Sequence, residues 1–150
     1  MLSRQVRSVR NNNPGNLEHS SIEWLGLATP PEMTAEQRAE QRFCVFRTPA
    51  FGFRALALDL FTSWKKGRMT VRQIVSRFAP PDENDTKAYE NAVSSALNVS
   101  PDEPLHLDND AQLSALARAI AVHEAGGWLF DDADLAEGVQ MARAPARLIA

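Results

Sequence analysis

The segment Ala119-Ile120-Ala121-Val122-His123-Glu124-Ala125-Gly126-Gly127-Trp128 puts a carboxyl group at the end of an apolar helical run, one residue ahead of two glycines and a tryptophan. There the negative end of the helix dipole, and an apolar lining from Trp128, would favour the protonated acid. A carboxylic acid that keeps its proton near neutral pH can act as general acid toward a glycosidic oxygen. The plain alternative is a solvated glutamate in front of a glycine cap. His123-Glu124 also invites a zinc reading, but an H-E-x-x-H helix needs histidine at 127, and that residue is Gly127. His19 and His106 lie far away with no ligand spacing, so no metal and no cofactor is expected.

A second group of polar residues follows two prolines, in Ala79-Pro80-Pro81-Asp82-Glu83-Asn84-Asp85-Thr86. Carboxylates at a helix start are commonly caps, which suits Asp85. Glu83 and Asn84 are less natural caps and could project into a cleft as a second carboxylate and a sugar-binding amide. A third group, Asn11-Asn12-Asn13-Pro14-Gly15-Asn16, resists regular structure, because asparagines bond their own backbone and proline and glycine favour turns. Such a loop concentrates amide donors and acceptors. Asn11, Asn12, Asn13 and Asn16, with Asn84, Thr86, Tyr89, His123 and Trp128, are therefore the candidate contacts to a polar ligand. Cys44 lies among apolar residues and reads as packing rather than as a nucleophile.

These groups sit on a chain of 150 residues with 44% hydrophobic and 23% charged residues, the profile of one ordinary soluble domain over residues 1–150. A single cysteine excludes an intramolecular disulfide framework. No apolar run approaches the ~20 residues of a membrane span, and no h-region follows the basic start, so neither span nor signal peptide is expected. The net charge of −3 hides a basic segment, 38–77, of net +7 and an acidic one, 82–137, of net −11. A solvated basic face explains the first better than nucleic-acid binding, since neither an RNA-binding aromatic signature nor a zinc finger accompanies it.

The elements that must position these residues are mainly helical. Arg4, Arg7 and Arg10 recur at a spacing of three, so residues 1–9 read as a flexible basic arm or a helical turn. Thr34 with Gln37 forms a capping box for a short helix from Ala35 to about Gln41. Residues 43–46 are β-prone and allow at most one small strand or hairpin. Phe53–Lys66 carries apolar residues all round and predicts a buried helix. Thr70 caps a helix through Phe78, Asp85 or Thr86 one containing Tyr89 and Val93, Asp108 or Asn109 one ending near Gly126, and Asp131 or Asp132 a last one. The expected fold is mainly α, with about five or six helices and an irregular N-terminal region.

Taken in order, four patterns resemble a family of small phage and prophage proteins that open on an R-G-I-R-N-N-N-P-G-N-I type motif: Arg10 to Leu17, Phe46 through Gly52-Phe53-Arg54-Ala55, Ala79 to Thr86 with Tyr89, and Ala119-Ile120 with His123-Glu124 and Gly126. The likeness spans roughly residues 8–140. Members are described as virion structural or lytic-transglycosylase-like proteins. Here Ser8-Val9 replaces Gly-Ile, Ala125 stands where asparagine is often found, and Leu27–Gln41 is a long polar insert. The resemblance implies a lysozyme-like helical domain that cleaves the β-1,4 bond between N-acetylmuramic acid and N-acetylglucosamine in peptidoglycan, as a muramidase or a lytic transglycosylase. Glu124 is the first choice of acid and Glu83 the second. Peptidoglycan strands and other virion proteins are the implied partners. The implied location is the virion, or the bacterial cytoplasm before release, with action in the periplasm or cell wall. The rival is a non-catalytic virion or wall-binding module on the same scaffold.

Overall fold

The computed structural model describes residues 5–79 and 83–144, apart from the side chains of Glu83 and Asn84. The protein is mainly α. Among the described residues there are seven α-helices: α1 (Arg7–Arg10), α2 (Ala35–Arg38), α3 (Pro49–Lys65), α4 (Val71–Val75), α5 (Glu83–Leu97), α6 (Asp110–Ala125) and α7 (Asp132–Ala142), with a 3-10 turn at Pro30–Glu32. The hairpin allowed by residues 43–46 reduces to two isolated antiparallel bridges, Glu18 with Phe43 and Leu27 with Phe46. Arg7–Arg10 forms a helical turn with Ser8 fully buried, and residues 1–4 of the basic start lie outside the described residues.

Local chemistry sets the boundaries. Helix α3 starts at Pro49, four residues ahead of the expected Phe53, because Thr48 accepts from the Phe51 N–H and proline is tolerated at the first helical position. Thr70 and Gln73 close a capping box on α4. That helix ends at Val75 rather than Phe78: the Ser76 hydroxyl donates back to the Gln73 carbonyl, and Arg77 is drawn to Asp59 and Ser63 of α3. Asn109 caps α6 by accepting from the Gln112 N–H.

Helix α3 is the spine. Phe53, Leu56 and Leu60 are fully buried with Val71 and Ile74 of α4, Val93 of α5, and Leu113, Leu116 and Ile120 of α6, and Leu135 and Val139 of α7 are buried in the same cluster. Each such side chain contributes roughly 1.5–3 kcal/mol by leaving water. A smaller cluster, Cys44, Phe46 and Ala55, is covered by Leu17, Trp24 and Phe51. Burial pushes the Cys44 thiol up to about 11, which keeps it protonated and unreactive. Gly52 lets the N-terminal loop approach α3: a Cβ there would lie 2.0 Å from the Asn12 carbonyl oxygen. The loop therefore rests directly on the spine, close to the end of α6.

Candidate functional site

Glu124 occupies the last turn of α6, where Ile120 and Ala121 bury the same helix in the core. The helix stops two residues later at Gly126, which adopts a left-handed φ of 81° and donates to the Val122 carbonyl at 2.9 Å. The half-buried Glu124 carboxyl is held from both sides. Asn16 Nδ2 donates to Oε1 at 2.9 Å, and the Tyr89 hydroxyl donates to Oε2 at 2.7 Å.

Both donors are themselves fixed. Tyr89 is buried on α5, and burial, with the charge of Glu124 beside it, pushes its hydroxyl well above the ordinary phenol value. It thus remains a donor across the working pH range. The His123 ring stacks on Tyr89 with centroids 3.7 Å apart. Asn16 sits at φ 47°, a left-handed conformation that asparagine tolerates, and its N–H donates to the Asn13 carbonyl.

The preceding asparagines build this loop from the inside. Asn13 is fully buried; its Nδ2 donates to the carbonyls of Leu17 and Cys44, and its Oδ1 accepts from the Leu17 N–H. Asn12 Nδ2 donates to the Phe46 carbonyl, and the buried Asn11 donates to Glu40 Oε1. Of the four asparagines read as ligand contacts, Asn16 is the one whose side chain meets Glu124, while the amide donors of Asn11, Asn12 and Asn13 go to the protein's own groups.

Glu124 opens onto a groove of about 560 Å³. Trp24, Ile22 and Phe43 supply apolar surface, and Asp59 of α3 and Arg77 and Phe78 in the turn after α4 also line it. Arg77 grips Asp59 with two hydrogen bonds of 2.8 and 2.9 Å, and its Nη1 also donates to Ser63. Sequence reasoning did not single out this pair. Its signal was Asp59, the one carboxylate inside the apolar run of α3. Trp128 does not line the groove: its ring packs against Phe53 and Phe130, with the Arg118 guanidinium 4.0 Å above it. Thr86 is partly buried on α5, one turn before Tyr89. Glu83 is the first residue of α5, and the side chains of Glu83 and Asn84 lie outside the described residues. Among the described residues, no three His, Cys, Asp or Glu side chains cluster to hold a metal ion.

No protein-family model matches the chain. It is 32% identical over 129 residues to Protein P5 of Pseudoalteromonas phage PM2, a match that covers 83% of this chain and 74% of that protein. The chain belongs to the family of that phage protein. The phage connection implied by the opening motifs is therefore shown at this level. Among the described residues of this family member, no helix is long and apolar enough to cross a membrane.

Proposed function

We propose that the protein is a lysozyme-like peptidoglycan glycosidase of a phage particle, with Glu124 as the general acid. The observation that carries this reading is the Glu124 carboxyl, on a helix end at the groove, gripped by Tyr89 and Asn16. A groove with aromatic and apolar surface on one side and fixed polar groups on the other suits a sugar polymer, whose rings present apolar faces and hydroxyl edges. In the proposed step Glu124 protonates the leaving oxygen between N-acetylmuramic acid and N-acetylglucosamine as the ring gains oxocarbenium character. Tyr89 and Asn16 then stabilise the carboxylate that the departing proton leaves behind. That interaction strengthens during the reaction, which is the condition for it to accelerate the chemistry.

The groove also receives Asp59 and Glu18, but each is engaged by an arginine, Arg77 and Arg42 respectively. A bidentate partner makes Asp59 a poor nucleophile. The second carboxyl role therefore falls to Glu83 or to the substrate's own N-acetyl group; the latter route gives a 1,6-anhydro sugar and makes the enzyme a lytic transglycosylase. Membership in a phage protein family supports action from a virion, alongside other virion proteins.

The test is digestion of purified sacculi by wild type and Glu83→Gln, with mass spectrometry of the released fragments. Cleavage yielding saccharide ends that carry anhydro sugars, undiminished in Glu83→Gln, is the transglycosylase outcome. Reducing ends lost in Glu83→Gln identify a hydrolase with a second carboxylate. Intact sacculi after incubation with folded wild type contradict the enzyme reading and favour the non-catalytic virion or wall-binding module.

A further inference from the structure

Beyond the groove at Glu124 lies a second depression, of about 360 Å³, and Arg42 lines both. Arg7 and Arg10 of α1 face it from the other side, with Glu36, Glu40 and Gln41. Its base is Glu40, whose side chain is 1% exposed. Oε1 receives Arg10 Nη2 at 2.7 Å and Asn11 Nδ2 at 3.0 Å, and Oε2 receives the backbone N–H groups of Arg42 and Phe43 at 3.1 Å each. With both oxygens occupied, the carboxylate is saturated. Arg7 lies beside it, 3.1 Å from Oε1, as an ion pair without a hydrogen bond among the described residues. The Arg7 and Arg42 guanidiniums both stand over the Phe43 ring, at 5.0 and 4.8 Å from its centroid, and their side chains are 52% and 66% exposed.

Glu40 takes one N–H of Arg10, and Glu18 takes the Nε of Arg42 at 2.7 Å, so both arginines are anchored at the rim of the depression. Arg7 lines the depression with its Nε beside Glu40 and its guanidinium over Phe43, and a planar guanidinium fixed on an aromatic face is pre-organised for a two-pronged oxyanion partner. The acidic Glu36 and Glu18 limit the field here, so recognition rests on directed hydrogen bonds rather than on bulk charge. We propose that this arginine depression is a subsite for an oxyanion, a carboxylate or a phosphate, carried by the polymer that lies in the Glu124 groove. The identity of that polymer rests on the glycosidase reading; the oxyanion subsite itself does not.

The experiment has two parts. First, inorganic phosphate is titrated into the full chain while the arginine Nε–Hε resonances are followed by NMR. Saturable shifts at Arg7 and Arg42 are expected, and Arg7→Gln/Arg42→Gln should weaken the apparent affinity about tenfold. Arg10 stays in that variant to hold Glu40, and Arg42→Gln alone, which keeps both ion partners of Glu40, should show a smaller loss in the same direction. Non-saturating shifts, or equal shifts in the double variant, overturn the proposal. Second, retention on sacculi is measured with Glu124→Gln, so that the wall stays intact. Loss of retention after carbodiimide amidation of the wall's carboxyl groups assigns the oxyanion to a carboxylate; loss after hydrogen fluoride removes phosphodiester-linked polymers assigns it to a phosphate. Retention that survives both treatments overturns the proposal. Because the phosphate titration needs no cleavage, a protein that binds phosphate yet leaves sacculi uncut keeps the subsite and loses the glycosidase reading.

Discussion

The stretch from Asn11 to Arg47 and the helices from Pro49 onward are held together by different physics. In the helical part, apolar side chains of α3, α4, α5, α6 and α7 are removed from water, with stripes that recur at helical spacing. In the irregular part, side-chain amides and one buried carboxylate take the place of a ladder: Asn13 ties Leu17 to Cys44, Asn12 reaches Phe46, and Glu40 gathers Arg7, Arg10 and Asn11. The first kind of cohesion is non-directional and tolerant of detail. The second depends on individual donors meeting individual acceptors, and it delivers Asn16 to Glu124. The candidate site thus lies on the seam between the two, with its acid on a helix and one of its two donors on the loop.

Substitutions in the two regions can break or sharpen this contrast. The largest effect is expected from Leu116→Ala, which empties a fully buried position and should lower unfolding stability by about 3 kcal/mol in denaturant titration. Asn13→Leu keeps the branching of the side chain but removes the bonds to the Leu17 N–H and the Cys44 carbonyl; roughly 2 kcal/mol is expected. A loop held by apolar packing would instead be unharmed by that change. Glu40→Gln sharpens the contrast through pH. Hydrogen bonds from Asn11 and the Phe43 and Arg42 backbones, with the charge of Arg7, overcome the effect of burial and hold the Glu40 carboxyl down at about 2. Because the folded value lies below the unfolded one, its stabilisation is present above about pH 4.5 and is lost as pH falls toward 2. Stability curves of wild type and Glu40→Gln should therefore diverge above that window and converge below it. The smallest effect is expected from Tyr89→Phe, which keeps the buried ring, changes stability by about 1 kcal/mol, and lowers the proposed cleavage rate roughly tenfold.

The same contrast explains what was legible in the sequence. Helices α4 and α6 were readable because caps such as Thr70 and Asn109 and apolar spacings such as Leu113, Leu116 and Ile120 are local signals. Helix α3 starts ahead of Phe53 because its first turn rests on Pro49 and the Thr48 cap rather than on the apolar pattern. The loop was readable only as a concentration of amides, since which amide turns inward depends on residues some thirty positions away, as Asn13 with Cys44 shows. Glu124 stood out by its place before two glycines, but its grip by Tyr89 and Asn16 spans 35 and 108 residues and leaves no local pattern. The partners of Asp59 and Glu40 were hidden for the same reason.

The central claim is tested most directly by the rate at which Glu124→Gln releases fragments from sacculi, measured beside wild type with the melting temperature of both proteins. The account predicts cleavage by wild type, a loss of at least about 100-fold in the variant, and closely similar melting temperatures, because glutamine keeps the shape of the side chain and an acceptor while removing the proton it would deliver. A variant that cleaves at the wild-type rate would contradict it.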